Sequence, residues 1–421
     1  MTSLDNGTLN YLFSLRRLGI KVGLHRTKAL LSKCGNPQNN LPVIHVAGTN
    51  GKGSTSAMIA SILGKSGRKV GLFTSPHLVH YNERIRINSC SVSDNYIVDF
   101  LKEQRHNIQM LKATFFETTS ALALSYFAHN NVDIAVVEVG MGGRLDSTNT
   151  VKSVLTVFTP IDFDHMEFLG YNLESITREK CGILKKGVST VTSKQSDKVM
   201  KIIFEEAEKL DIGIYQSSEI SPVKNIQLDV KNTSFEINGQ QLTVPLAGHH
   251  QTENAQTAIT VCQVFESGLK KEIVQKGLSE VKWPGRLQLL SNDPPIYYDT
   301  AHNPHGIMAV TSSLKELYPD STFGGLCAFK SKKQIEEIGS YLQDFFQMII
   351  TTTSDHDTFY SSEELSIKLT DSGVNAINGG SIDNSINLLN VKKNKVDTWL
   401  IFGTHYISES VFKYFDFSVL P

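Results

Sequence analysis

The sequence predicts an α/β protein of two domains: a larger N-terminal domain on a mostly parallel sheet carrying a small antiparallel flap, and a smaller C-terminal α/β domain. Three observations lead there. From about residue 40 to 210, short apolar runs alternate with amphipathic stretches, as strands joined by crossover helices do. Residues 226–244 switch to a period-two alternation. A second β/α alternation begins near residue 294. The length of 421 residues agrees, since it exceeds what one ordinary core accommodates.

In the first region the strands are expected at 42–47, 69–74, 133–139, 153–159 and 189–193. Helical spacing of apolar residues falls at 52–65, 117–129, 173–185 and 197–210. The stretch IQLDVKNTSFEINGQQLTV carries Asn238-Gly239, a type I′ hairpin signal, and so reads as the flap. Helices are expected around 251–265 and 270–280. SNDPP (291–295) is polar and proline-rich and reads as a linker. Strands at 296–299, 322–328, 347–353 and 398–402 then build the second domain, so the domains are placed at 1–290 and 294–421.

Composition removes several classes of function. Lys plus Arg (41) nearly cancels Asp plus Glu (42), so no general field draws the chain to nucleic acid or to an acidic membrane. The five cysteines are odd in number and contain no CxxC pair, which argues against a disulfide framework or a zinc site and for a reducing compartment. Polar residues interrupt the first 19 positions where a signal peptide needs an apolar run, and no stretch reaches membrane-spanning length. A cytoplasmic protein is expected.

The strongest local signal is VIHVAGTNGKGS, an apolar strand running into Gly48, Thr49, Asn50, Gly51, Lys52, Gly53 and Ser54 and then a helix. Glycines let successive backbone N–H groups turn toward one anion, the helix N-terminus adds positive potential, Lys52 reaches outer phosphates and Ser54 can face magnesium. A glycine-rich turn with a solvent lysine is the bland alternative. Ligands of parallel sheets bind beyond the carboxyl ends of the strands. Ser75, His77, Glu138, Asp162, Asp164 and His165 follow such ends and share the rim of the phosphate loop.

Two residues are out of place. Glu138 is a carboxylate in a run of buried β residues, where a nearby cation or a salt bridge to Arg144 would offset the cost. Magnesium held by Ser75, Glu138, one further side chain and ATP phosphate fits that need. Lys180 falls within the apolar stripe of Leu173, Ile176, Ile183 and Leu184. It snorkels, pairs with Asp162 or Asp164, or takes up carbon dioxide as a carbamate, becoming an anionic metal ligand.

These residues resemble the Mur-ligase superfamily, specifically its dihydrofolate synthase and folylpolyglutamate synthase branch. Eleven motifs carry the resemblance in order: GNPQ (35–38), HVAGTNGKGS (45–54), FTSPHLVHYNERI (73–85), TFFETTSALA (114–123), VVEVGMGGRLDSTN (136–149), DHMEFLG (164–170), REKCGI (178–183), LAGHHQTENA (246–255), VKWPGRL (281–287), YDTAHNPHG (298–306) and FGTHY (402–406). The resemblance implies an N-terminal P-loop ATPase domain and a C-terminal Rossmann-like domain. It implies that residues 48–54 hold the β- and γ-phosphates of ATP, that Ser75, Glu138 and His165 hold magnesium, and that Lys180 is carbamylated. Asn254, Arg286, Asp299 and His302 correspond to ATP contacts. His77, Arg144 and Asp146 fall on the substrate side, and Lys52, Lys180, His165 and Arg286 carry the chemistry.

The implied reaction joins L-glutamate to dihydropteroate through an acyl phosphate made from ATP. GGRLD (142–146) resembles enzymes that accept dihydropteroate, and addition of glutamate to tetrahydrofolate is a second activity consistent with the branch. No nucleic acid or membrane partner is expected, and the chain is expected to be a monomer. Two stretches depart from the pattern: Lys330-Ser331-Lys332-Lys333 where the family commonly has Asp-Lys-Asp, and GTHY where it has GSLY or GSFY. The alternatives are a UDP-muramoyl amino acid ligase, a P-loop switch GTPase suggested by the NKxD-like Asn394-Lys395-Val396-Asp397, and a non-catalytic ATP-binding module.

Overall fold

Short, β-branched strands followed by capped helices assemble as the periodicity requires. The computed structural model describes residues 6–19, 21–331, 335–354 and 358–419. The chain divides into two compact units. The first holds the chain up to Lys224 with Glu236–Leu242 and Glu253–Val281; the second holds Asn225–Phe235, Thr243–Thr252 and the chain from Lys282.

The first unit is built on an eight-stranded sheet: β1 (Val43–Ala47), β2 (Val70–Phe73), β3 (Ile85–Ile87), β4 (Cys90–Ser91), β5 (Ile134–Glu138), β6 (Ser153–Phe158), β7 (Thr190–Thr192) and β8 (Ile214–Gln216). Their order is β4-β3-β2-β5-β1-β6-β7-β8. Neighbours from β2 to β8 run parallel, and β3 and β4 extend the sheet antiparallel. β1 lies between β5 and β6 with all five residues buried. A strand covered on both faces reads as an apolar run without alternation, as VIHVA does apart from His45.

The helices begin and end where local chemistry sets them. The helix expected from residue 117 starts at Phe115, because Thr114 and Glu117 form a capping box in which each side chain accepts the other's backbone N–H. The helix expected to reach residue 185 is Leu173–Cys181. Gly182 ends it, yet Ile183 and Leu184 stay buried, so the apolar stripe outlasts the helix.

Residues 223–244 form a three-stranded sheet of β9 (Val223–Leu228), β10 (Thr233–Ile237) and β11 (Gln240–Val244), in the order β11-β10-β9. Asn238 and Gly239 form its tight turn at φ 51° and 75°, the left-handed pair a type I′ turn requires. Along β10 burial alternates, as period two predicts.

The second unit carries a six-stranded sheet: β12 (Gln288–Asn292), β13 (Pro295–Tyr298), β14 (Phe323–Cys327), β15 (Met348–Thr351), β16 (Ala376–Asn378) and β17 (Thr398–Phe402), in the order β12-β13-β17-β14-β15-β16. Only the β12–β13 pair is antiparallel. That pair corrects the reading of SNDPP as a linker. Ser291 and Asn292 complete β12 opposite Ile296 and Pro295, and Asp293-Pro294 is the hairpin turn. Proline at a turn and proline in a linker look alike in sequence; the ladder distinguishes them.

The NKxD-like tetrad is structural. Asn394 and Lys395 lie in a short 3-10 turn, and the Asp397 carboxylate accepts the backbone N–H and the hydroxyl of Thr322, at 2.8 and 2.7 Å. Of the departure at 330–333, Lys332 and Lys333 lie outside the described residues; Lys330 bridges to Phe359.

Candidate active site

β1 ends at Ala47 and the chain turns through Gly48 to Gly51 into the helix Lys52–Lys65. The turn is fastened from beneath. Thr49 N–H and Asn50 N–H donate to the Pro160 carbonyl, and Thr49 Oγ1 bonds to the backbone of Asp162. Gly48 has φ 149°, and a Cβ there would lie 2.8 Å from the Thr159 carbonyl oxygen, so only glycine fits. The Lys52 ammonium folds back on the Thr49 carbonyl at 3.0 Å. Asn254 abuts the same turn, and its Oδ1 accepts the Thr55 hydroxyl at 3.3 Å.

Over the loop lies a small, partly open pocket walled by Gly48, Thr49, Lys52, Val139, Gly140, Met141, Gly142, Asp164, His165 and Lys180. Lys180 is the buried cation of this wall. Its Nζ donates to the Gly48 carbonyl at 2.7 Å. Burial, then Lys52, lower its pKa to about 7 against the partial opposition of Asp164 and Asp146. A lysine in that state spends much of its time as the neutral amine at physiological pH.

His165 caps a four-residue helix, Met166–Leu169, in the left-handed conformation (φ 51°) and stands beside Asp164, whose Oδ1 accepts its N–H. Glu138 ends β5 at 3% exposure and accepts the Ser75 N–H at 3.0 Å, so two of the proposed metal residues touch. Among the described residues no three His, Cys, Asp or Glu side chains cluster tightly enough to hold a metal by themselves.

The remaining predicted residues of this unit do not line the pocket themselves. His77 accepts the Arg84 Nε–H at Nδ1 (2.7 Å) and packs against Phe13 and Tyr81; burial, then Arg84 and Arg16, keep it neutral. Arg144 pairs with Glu179. Asp146 is buried, and its carboxylate accepts the N–H groups of Met141 and Thr148.

In the second unit, Asp299 follows β13 and accepts Leu287 N–H and Ala301 N–H at 2.8 and 2.7 Å. Burial raises its pKa and the Arg286 charge opposes this. Arg286 donates to the Thr300 hydroxyl, and His302 Nδ1 to the Thr300 carbonyl. Arg286, Asp299 and His302 thus share one corner.

Sequence reasoning had Asp164 on the rim and Gly142 within GGRLD, but gave no role to the wall residues Gly140 and Met141. The signal was present in GMGGR. A Cβ on Gly143 would lie 2.7 Å from the Lys180 carbonyl oxygen, so glycine lets this loop lie flush against the end of the lysine's helix.

A phosphate loop on the central strand of a parallel sheet, with a buried lysine and an acid–histidine pair over it, defines a class. Residues 46–262 match the Mur ligase middle domain, and residues 285–405 the Mur ligase glutamate ligase domain. A dihydrofolate synthase/folylpolyglutamate synthase of Bacillus subtilis is 35% identical over 321 residues, which is 72% of this chain and 75% of that protein. A Mycobacterium tuberculosis folylpolyglutamate synthase solved with ADP and AMPPCP superimposes with a TM-score of 0.90 at 27% identity, covering 98% of this chain and 99% of that one. A folylpolyglutamate synthase solved with AMPPCP and folate gives 0.86 at 28% identity, covering 97% and 98%. The chain belongs to the dihydrofolate synthase/folylpolyglutamate synthase family of the Mur ligases.

Proposed function

We propose that this protein uses ATP to convert the carboxylate of dihydropteroate into an acyl phosphate and joins it to the amino group of L-glutamate, releasing ADP and phosphate. Glutamate addition to tetrahydrofolate by the same site is part of the reading. The observation that carries it is the pocket in which the glycine loop, Lys52, Lys180, Asp164 and His165 meet. Family membership supports the same chemistry.

In this reading residues 48–54 and Lys52 hold the β- and γ-phosphates, with Asn254, Arg286, Asp299 and His302 as further ATP contacts. The carboxylate attacks the γ-phosphorus, a step governed by alignment and charge neutralisation, to which Lys52 and Arg286 contribute. Glutamate's amino group, once deprotonated, then displaces phosphate from the acyl carbon. His77, Arg144 and Asp146 serve the acid substrate.

Magnesium fits the residues present. Glu138 is a buried carboxylate in contact with Ser75, and a hard cation accepts Ser75, Glu138 and His165 together with phosphate oxygens and water. When bound, it would neutralise charge on the transferring phosphoryl group. Lys180 suits carbamylation because its amine is buried and its pKa is lowered to about 7, which leaves a substantial neutral fraction at physiological pH. As a carbamate it would supply an oxygen ligand that the clustered acids and histidines do not.

All five cysteines are free, and among the described residues no helix is long and apolar enough to cross a membrane. The protein is taken to act in the cytoplasm, as a monomer.

The test is phosphate release with ATP, magnesium and L-glutamate, assayed side by side with dihydropteroate, tetrahydrofolate and a UDP-muramoyl precursor. Release with dihydropteroate is expected. Release with the muramoyl precursor alone would move the protein to the cell-wall branch.

A further inference from the structure

His45 stands in the middle of β1, two residues before the strand ends in the phosphate loop, and is fully buried. Its Nε2 lies 2.9 Å from the Thr148 hydroxyl, and its Nδ1 has no hydrogen-bond partner. A polar ring in a central strand without a full set of partners is costly and calls for an explanation.

Proton directions can be assigned along the chain of contacts. The Thr148 hydroxyl has one hydrogen and donates it to Asp146 Oδ1 at 2.5 Å. The hydroxyl therefore accepts from His45, which must carry its proton on Nε2. Burial and the Lys185 charge hold the His45 pKa at about 3, so the ring is neutral and can play only this part at Nε2. Asp146 Oδ1 also accepts Thr148 N–H, and Oδ2 accepts Met141 N–H, both at 2.9 Å. The carboxylate thus bridges Thr148 on one side and the backbone that walls the phosphate pocket on the other.

We infer that His45 and Thr148 are positioning residues for the acid-substrate side of the site: through the hydroxyl they set the Asp146 carboxylate, and through it the backbone of Met141. The relay ties the strand that carries the phosphate loop to the loop that follows β5. The two walls of the pocket are thereby held in register by side chains that need not touch a substrate. The inference rests on the ligase reading of the same pocket.

Thr148→Val tests it, because valine keeps the shape and removes the hydroxyl. Loss of a hydrogen bond to a charged group predicts a fall of about tenfold in kcat/KM for dihydropteroate. The KM for MgATP should change less than kcat/KM for dihydropteroate, since the relay ends on the Met141 wall and makes no contact with Lys52. Thr148→Ser should restore dihydropteroate turnover, and His45→Gln, which keeps a donor within reach of Thr148, should lie between. A Thr148→Val enzyme with unchanged kinetics overturns the inference. So does one in which Tm and all kinetic constants fall together and serine restores nothing, for that is merely structural behaviour. If the wild-type protein itself fails to ligate dihydropteroate, the ligase reading falls, an outcome distinct from either.

Discussion

Replacing Lys180 by Met isolates the free energy stored in this buried cation. Its pKa falls from 10.5 in the unfolded chain to about 7 in the fold, a shift that corresponds to about 5 kcal/mol. The sign follows from proton binding. Between pH 7 and 10.5 the unfolded chain holds a proton that the folded one has released, so stability rises with pH. It is complete above 10.5 and is lost as pH falls through 7. Methionine is apolar and of similar length and does not titrate, so subtracting its stability curve from the wild-type curve leaves Lys180 alone. In carbon-dioxide-free buffer, urea unfolding should show wild type gaining about 3 kcal/mol relative to Lys180→Met between pH 6 and 9.5. Parallel curves would refute the burial account. A penalty this large, against a typical total of about 5–15 kcal/mol, is hard to explain by packing, which is why a functional state of the amine is proposed. Added bicarbonate should flatten the wild-type curve only, and 13C-bicarbonate should give a carbamate signal that the methionine variant lacks. The variant should lose ligation.

Other perturbations address the rest of the site. Lys52→Ala should lower phosphate release by about a hundredfold or more, as loss of a phosphate-stabilising charge does, read in a coupled assay. His165→Ala should move the magnesium titration of activity to higher concentration; an unchanged midpoint would remove it from the metal residues. Gly143→Ala forces a Cβ to within 2.7 Å of the Lys180 carbonyl oxygen, and should cost about 1–3 kcal/mol and depress turnover, seen as a lower Tm. His45 and His250 have pKa values lowered to about 3 and about 4 by burial. Both neutral rings support the fold fully above pH 6.5 and cease to as pH falls through those values. Acid titration followed by circular dichroism should therefore show unfolding above pH 3, with His45→Gln less acid-sensitive than wild type.

Much of this was legible in the chain itself. Strands β1, β5, β6 and β17 announce themselves because strands inside a parallel sheet are mostly apolar, interrupted here only by His45, Glu138, Ser153, Thr156 and Thr398, and Asn238-Gly239 permits little besides a tight hairpin. The loop at 48–54 is local chemistry, readable wherever a strand runs into a glycine turn and a helix. Lys180 and Glu138 stood out because a charge in an apolar stripe requires compensation, and both are buried.

Tertiary structure decided which residues share that compensation. Lys180 meets Gly48 across 132 positions of sequence and His45 meets Thr148 across 103, contacts that depend on strand order rather than on any local pattern. The Ser291–Asn292 stretch became a strand because β13 offered it a ladder, while its composition suited a linker equally well. Local spacing fixes what each segment is able to do; the sheet order alone brings distant carbonyls, hydroxyls and amines within hydrogen-bonding reach.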